Sequence, residues 1–89
     1  MKVLLHKSAD KYLSRLPQPD QAHFDAAFAD LEKEPSKGDI KPYKSSPGTF
    51  RLTVKSYRAI FKFVDNYILV THIEPRGQAY TKKTRTKRG

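Results

Sequence analysis

Cysteine and tryptophan are both absent from this 89-residue chain. Without cysteine there is no disulfide framework and no thiolate metal site, which argues against a small secreted scaffold. Long hydrophobic runs are also missing. Near the N-terminus only Val3, Leu4 and Leu5 are consecutively apolar, whereas the core of a signal peptide needs roughly 7 to 15 such residues. No segment approaches the roughly 18 apolar residues of a membrane-spanning helix. We therefore expect a cytoplasmic protein with no membrane association. Acidic residues are scarce in the second half. Residues 1–49 carry eight Lys/Arg against seven Asp/Glu, while residues 50–89 carry ten against two. This concentrates a net charge of +8 in the C-terminal forty residues and favours a polyanionic partner, nucleic acid before acidic protein or anionic membrane.

What is present suffices for one domain with a modest core: 37% of residues are hydrophobic, among them five Phe and five Tyr. Residues 2–6 read as a short strand. Ser8 offers a hydroxyl N-cap for a helix running to Leu16, with Ala9, Tyr12, Leu13 and Leu16 on one face. Pro17 ends that helix. Pro19 and Asp20 suit the first turn of a second, where Phe24, Ala27, Phe28 and Leu31 repeat the apolar spacing. Residues 34–49 contain Pro35, Gly38, Pro42, Pro47 and Gly48, and this dense punctuation predicts a long surface loop.

Beyond the loop the hydrophobic period changes from 3.6 to 2. Phe50, Leu52 and Val54 alternate with Arg51, Thr53 and Lys55, and two more strands follow at 57–64 and 67–74. Lys55-Ser56 and Asp65-Asn66 fit two-residue turns, and regular pairing then assigns the faces. One face collects Phe50, Leu52, Val54, Ala59, Phe61, Phe63, Ile68 and Val70, against which the helices should pack. The other collects Arg51, Thr53, Arg58, Ile60, Lys62, Leu69, Thr71 and Ile73, with Arg76 emerging at its edge. The expected class is α+β: an N-terminal strand, a two-helix antiparallel hairpin and a three-stranded antiparallel meander, with the helices on one sheet face. The domain should span residues 1–81, leaving 82–89 as a basic, flexible tail.

Arginine forks match phosphate oxygens, so Arg51, Arg58 and Arg76 together suggest a phosphodiester cradle. The competing structural reading is an ordinary solvated sheet face. His6, His23 and His72 fall on different elements, and no metal-ligand cluster is apparent; regular alternation puts His72 on the apolar side, in a structural role.

The segment from Phe50 to Tyr80 resembles the RelE/ParE toxin superfamily in four features: Phe50-Arg51, Tyr57-Arg58, the apolar hairpin between strands, and Arg76 followed four residues later by Tyr80. The likeness extends over roughly residues 2 to 82, through two helices, a proline-bearing helix end and a lysine-containing loop in the same order. It implies an antiparallel sheet curved around the active surface and the toxin half of a toxin–antitoxin pair. In the RelE branch such toxins cut mRNA in the ribosomal A site; in the ParE branch they inhibit gyrase without a full nuclease set. Arg58, Arg76 and Tyr80 match RelE-type positions for phosphate binding, transition-state stabilisation and base stacking, and Arg51 joins them. The implied chemistry is attack of a ribose 2′-OH on the adjacent phosphorus, leaving a cyclic phosphate, with no metal or cofactor.

In one respect the chain departs from that pattern. RelE-type enzymes often carry lysines on the first catalytic strand, where this sequence has Arg51 and Thr53, and arginine is a poor proton acceptor. Lys44, Lys55 and Lys62 are the alternatives for the base. Together with Lys82 and Lys83 they are also expected to hold the RNA backbone. The implied partners are the ribosome with its mRNA and an acidic, helical antitoxin segment. The competing functions are gyrase inhibition and non-catalytic RNA binding.

Overall fold

A computed structural model describes residues 1–33, 37–43 and 46–76. Their elements run β1 (Lys2–Leu5), α1 (Lys7–Ser14), α2 (Gln18–Leu31), β2 (Asp39–Pro42), β3 (Thr49–Val54), β4 (Tyr57–Val64) and β5 (Tyr67–Pro75). The α+β class and the meander over β3, β4 and β5 agree with the expectation. The sheet is larger, however. Its order is β1-β5-β4-β3-β2, with β1 parallel to β5 and the other neighbours antiparallel.

The added strand β2 lies in the segment expected to be a loop. It pairs Ile40 with Leu52 and Lys41 with Arg51. Pro42 is compatible with a strand here because β2 is at the sheet edge, where a missing N–H breaks no internal ladder. Gly48, with φ +82, supplies the left-handed conformation that returns the chain into β3.

Both helix ends differ from the expected caps for local reasons. His6 caps α1, its Nδ1 accepting from the Ser8 backbone N–H at 3.2 Å, and Ser8 Oγ donates instead to the Thr71 carbonyl at 2.9 Å. That hydroxyl therefore ties α1 to β5 along the stretch that β1 leaves unpaired. The helix ends at Ser14, two residues before Leu16. Gln21 from α2 then donates to the Leu16 carbonyl at 2.8 Å, closing the corner between the helices.

Ala9, Leu13, Phe24, Phe28 and Leu31 from the helices meet Leu52, Val54, Ala59, Phe61, Ile68, Val70 and Ile73 in one core. Tyr57 joins its margin, with its ring 5.5 Å from Phe24 and its hydroxyl donating to Asp20 at 2.7 Å. Two burial expectations change, of which only the first is a change of face. Ile73, expected on the wet face, is buried in this core. Phe63, expected inside, is 52% exposed. It sits at the far end of β4 beside the Asp65-Asn66 turn, resting on Phe50 and Phe61.

The change at Ile73 has a simple cause. Pairing of β4 with β5 steps from Ile60↔His72 to Phe61↔Val70, so Thr71 is an extra residue. A side-chain period of 2 means that one inserted residue inverts everything beyond it. Ile73 turns in beside Ala59, and His72 turns out opposite Ile60. The apolar, structural place expected for His72 is thereby corrected.

Candidate functional site

The sheet face opposite the helices carries the charged rows. Directly paired residues share a face, so Lys41, Arg51, Ile60 and His72 form one row from β2 to β5. Asp39, Thr53, Arg58 and Glu74 form the next, and Lys62 lies between Thr49 and Leu69 on the other side. Arg51 and Arg58 are thus diagonal neighbours, as their alternation implied. Lys62 shares their face. Lys55 occupies the β3–β4 turn with φ 55 and is exposed.

Ile60 lies among these polar groups with 1% exposure. The Nε atoms of Arg51 and Arg58 are also buried, and neither has a hydrogen-bond partner among the described residues. Apolar stems of long cations commonly cover such a residue while their heads stay wet. Burying an N–H without an acceptor carries a cost of about 1 to 3 kcal/mol.

Glu74 organises the neighbouring side chains. Its Oε2 lies 2.9 Å from Arg58 Nη2, and its Oε1 lies 3.4 Å from His72 Nε2. The second histidine nitrogen, Nδ1, is 3.4 Å from Thr71 Oγ1. That hydroxyl in turn donates to the Ile60 carbonyl at 3.2 Å. On the helix side, burial and then the negative charge of Glu74 raise the Tyr12 phenol above its usual range.

Arg76 stands at the rim. Its backbone N–H donates to the Ser56 carbonyl at 2.7 Å, and its Nη1 reaches the Lys55 carbonyl at 3.4 Å, which places it beside the β3–β4 turn. Tyr80, Lys44, Lys82 and Lys83 lie outside the described residues. Four members of the face escaped sequence reasoning, Asp39 and Lys41 on β2 and His72 and Glu74 on β5. Lys41 was hidden in a segment whose prolines and glycines suppressed any strand, although Asp39-Ile40-Lys41 has the polar-apolar-polar pattern of one. His72 was hidden by the bulge, which left no signal in the alternation. Among the described residues no group of three or more His, Cys, Asp or Glu is placed to hold a metal ion, and no helix is long and apolar enough to cross a membrane.

The sequence matches the family described as ParE toxin of type II toxin–antitoxin systems over residues 3–80. Similar solved structures include the archaeal RelE–RelB complex from Pyrococcus horikoshii, with a TM-score of 0.71 at 27% identity, covering 86% of this chain and 96% of that one. The RelB–RelE antitoxin–toxin complex from Methanococcus jannaschii gives 0.70 at 21% identity, covering 89% and 96%. The toxin–antitoxin complex RelBE2 from Mycobacterium tuberculosis gives 0.67 at 23%, covering 84% and 96%. The latter two likenesses are of fold alone. No curated protein matches the sequence.

Proposed function

Because the chain belongs to the ParE toxin family of type II toxin–antitoxin systems, we propose that it is a toxin whose arginine face cleaves mRNA on the ribosome. The observation that carries this reading is the convergence of Arg51 and Arg58, diagonal neighbours beside Ile60 on the sheet face opposite the helices. A phosphodiester supplies acceptors for their outer guanidinium N–H groups, in the planar geometry a guanidinium favours. As the 2′-oxygen attacks, charge builds on the phosphorane oxygens, and donors already fixed in place stabilise it by several kcal/mol. Lys41 and Lys62 extend the positive track, and Arg76 approaches from the rim. Tyr80 is the proposed stacking residue, and Lys44, Lys55, Lys82 and Lys83 complete the backbone contacts.

The likeness to RelE–RelB complexes supports a cognate antitoxin as the physiological partner, with an acidic segment facing this charge. Its gene is expected beside the toxin's. A purified toxin that bound no product of an adjacent small gene, even at low salt, would remove this partner.

The ParE description of the family favours a second reading, inhibition of gyrase. Brief expression in bacteria separates the two. Primer extension on cellular mRNA should show new 5′ ends within translated regions, together with arrest of protein synthesis. Loss of DNA supercoiling while translation continues would establish the gyrase target instead.

A further inference from the structure

We infer that His72 is a catalytic residue of this face, the general acid that protonates the departing 5′-oxygen of the cleaved RNA; the inference rests on the nuclease reading above. The bulge at Thr71 brings His72 onto the row Lys41, Arg51, Ile60, His72, so the ring stands one strand beyond Ile60 from Arg51 and diagonal to Arg58. A phosphate held over Ile60 by the two arginines then has His72 on one flank and Arg51 on the other, with Lys41 one strand further out. In-line displacement requires such an arrangement, because the attacking and departing oxygens lie on opposite sides of phosphorus.

The hydrogen bonds around the ring select its part in the reaction. Thr71 Oγ1 spends its proton on the Ile60 carbonyl and presents a lone pair to His72 Nδ1. Glu74 presents a carboxylate oxygen to Nε2. An acceptor at each nitrogen accommodates a proton on both. The side chain is 46% exposed, so an RNA strand can reach it. Histidine is also the side chain suited to giving up a proton near neutral pH.

The step balances as a transesterification. The 2′-oxygen forms its bond to phosphorus and loses its proton to water. The bond from phosphorus to the 5′-oxygen breaks, and that oxygen takes the proton of His72 Nδ1, replacing the 3.4 Å contact with Thr71 Oγ1 while Glu74 holds Nε2. Water then reprotonates the ring. The products are a 2′,3′-cyclic phosphate and a 5′-hydroxyl.

A leaving-group substitution tests this role. Single-turnover cleavage would be measured on ribosomes programmed with an mRNA carrying either oxygen or sulfur at the 5′-bridging position of the site mapped by primer extension. A thiolate departs without a proton, so it bypasses a general acid. His72→Gln and His72→Asn should slow cleavage of the oxygen substrate by about 10²- to 10⁴-fold. On the sulfur substrate both should approach the parent rate, with unchanged melting temperatures. Equal losses on both substrates would show that His72 acts only through structure or RNA positioning and would overturn the assignment. So would variants that cleave the oxygen substrate at the parent rate. A parent protein that cleaves neither substrate would overturn the nuclease reading itself, and this assignment with it.

Discussion

At the scale of single residues, the arginine face separates charge from packing. Arg51 and Arg58 face away from the core, and the Arg58–Glu74 pair is partly exposed, each side chain at 26%. Such pairs contribute about 0 to 1 kcal/mol. Arg51→Ala and Arg58→Ala should therefore melt within a few degrees of the parent. Loss of one fixed donor to a developing oxyanion costs about 10²- to 10³-fold in rate, and ribosome-bound mRNA cleavage should fall by that much. Parent-like cleavage by a folded Arg58→Ala protein would remove Arg58 from the mechanism. Tyr57 belongs to the opposite side of the sheet and to stability. Its hydrogen bond to Asp20 raises the phenol above the usual 10.0, with burial and the charge of Asp20 adding to the shift. The native state thus holds the phenol proton more tightly than the unfolded chain does. The resulting stabilisation is complete below pH 10.0 and disappears as pH rises through the higher native value. Tyr57→Phe should lower the urea midpoint at pH 7, and its difference from the parent should shrink in alkaline buffer. A constant difference across that range would dissociate the hydroxyl from the pH dependence.

At the scale of elements, the bulge in β5 decides which residues meet. Without it Ile73 would be wet and His72 dry; with it Ile73 is 5% exposed and His72 lies on the arginine face. Ile73→Ala should cost about 2 to 5 kcal/mol, the range for truncating a buried isoleucine. His72→Ala should stay within about 0.5 kcal/mol, as ordinary surface substitutions do. Denaturant unfolding of the two variants would show the reverse order if the ladder were regular. Much of this architecture was legible beforehand. Phe50, Leu52 and Val54 alternate cleanly, and the two-residue turns at Lys55-Ser56 and Asp65-Asn66 set the pairings Val54↔Tyr57 and Val64↔Tyr67 that are observed. The alternation also placed Arg51 and Arg58 together. Its failures share a physical origin in long-range pairing. Strand β2 is only Asp39–Pro42, too short for a period and interrupted by proline, and it exists because β3 offers an open edge. The bulge likewise depends on how β5 meets β4, with Ser8 of α1 donating to the Thr71 carbonyl on its other side. Phe63 satisfies the hydrophobic pattern, yet β4 extends beyond the cover that would bury it.

For the molecule as a whole, one sheet has two unlike faces: the helices close one into the core, and the other carries cations. This division predicts where salt acts. Each RNA phosphate neutralised by a lysine or arginine releases condensed counterions, and for single strands the logarithm of affinity falls with the logarithm of salt by about 0.7 per contact. The cations on the described face are Lys41, Arg51, Arg58 and Lys62, with Lys2 at its far edge on β1 and Glu74 opposing Arg58. Three or four contacts give a slope of about −2 to −3. Lys41→Ala should reduce its magnitude by about 0.7 and weaken binding to all sequences alike, since a lysine on phosphate reads no base. Lys11 provides the control, being exposed on α1 at the helical side of the sheet. Binding of a single-stranded RNA, followed by fluorescence anisotropy across a salt series, would compare the two variants. An unchanged slope for Lys41→Ala with a reduced one for Lys11→Ala would place the RNA on the helices and refute the sheet-face interface. A reduced slope for Lys41→Ala alone would fix the path of the strand across β2 and β3.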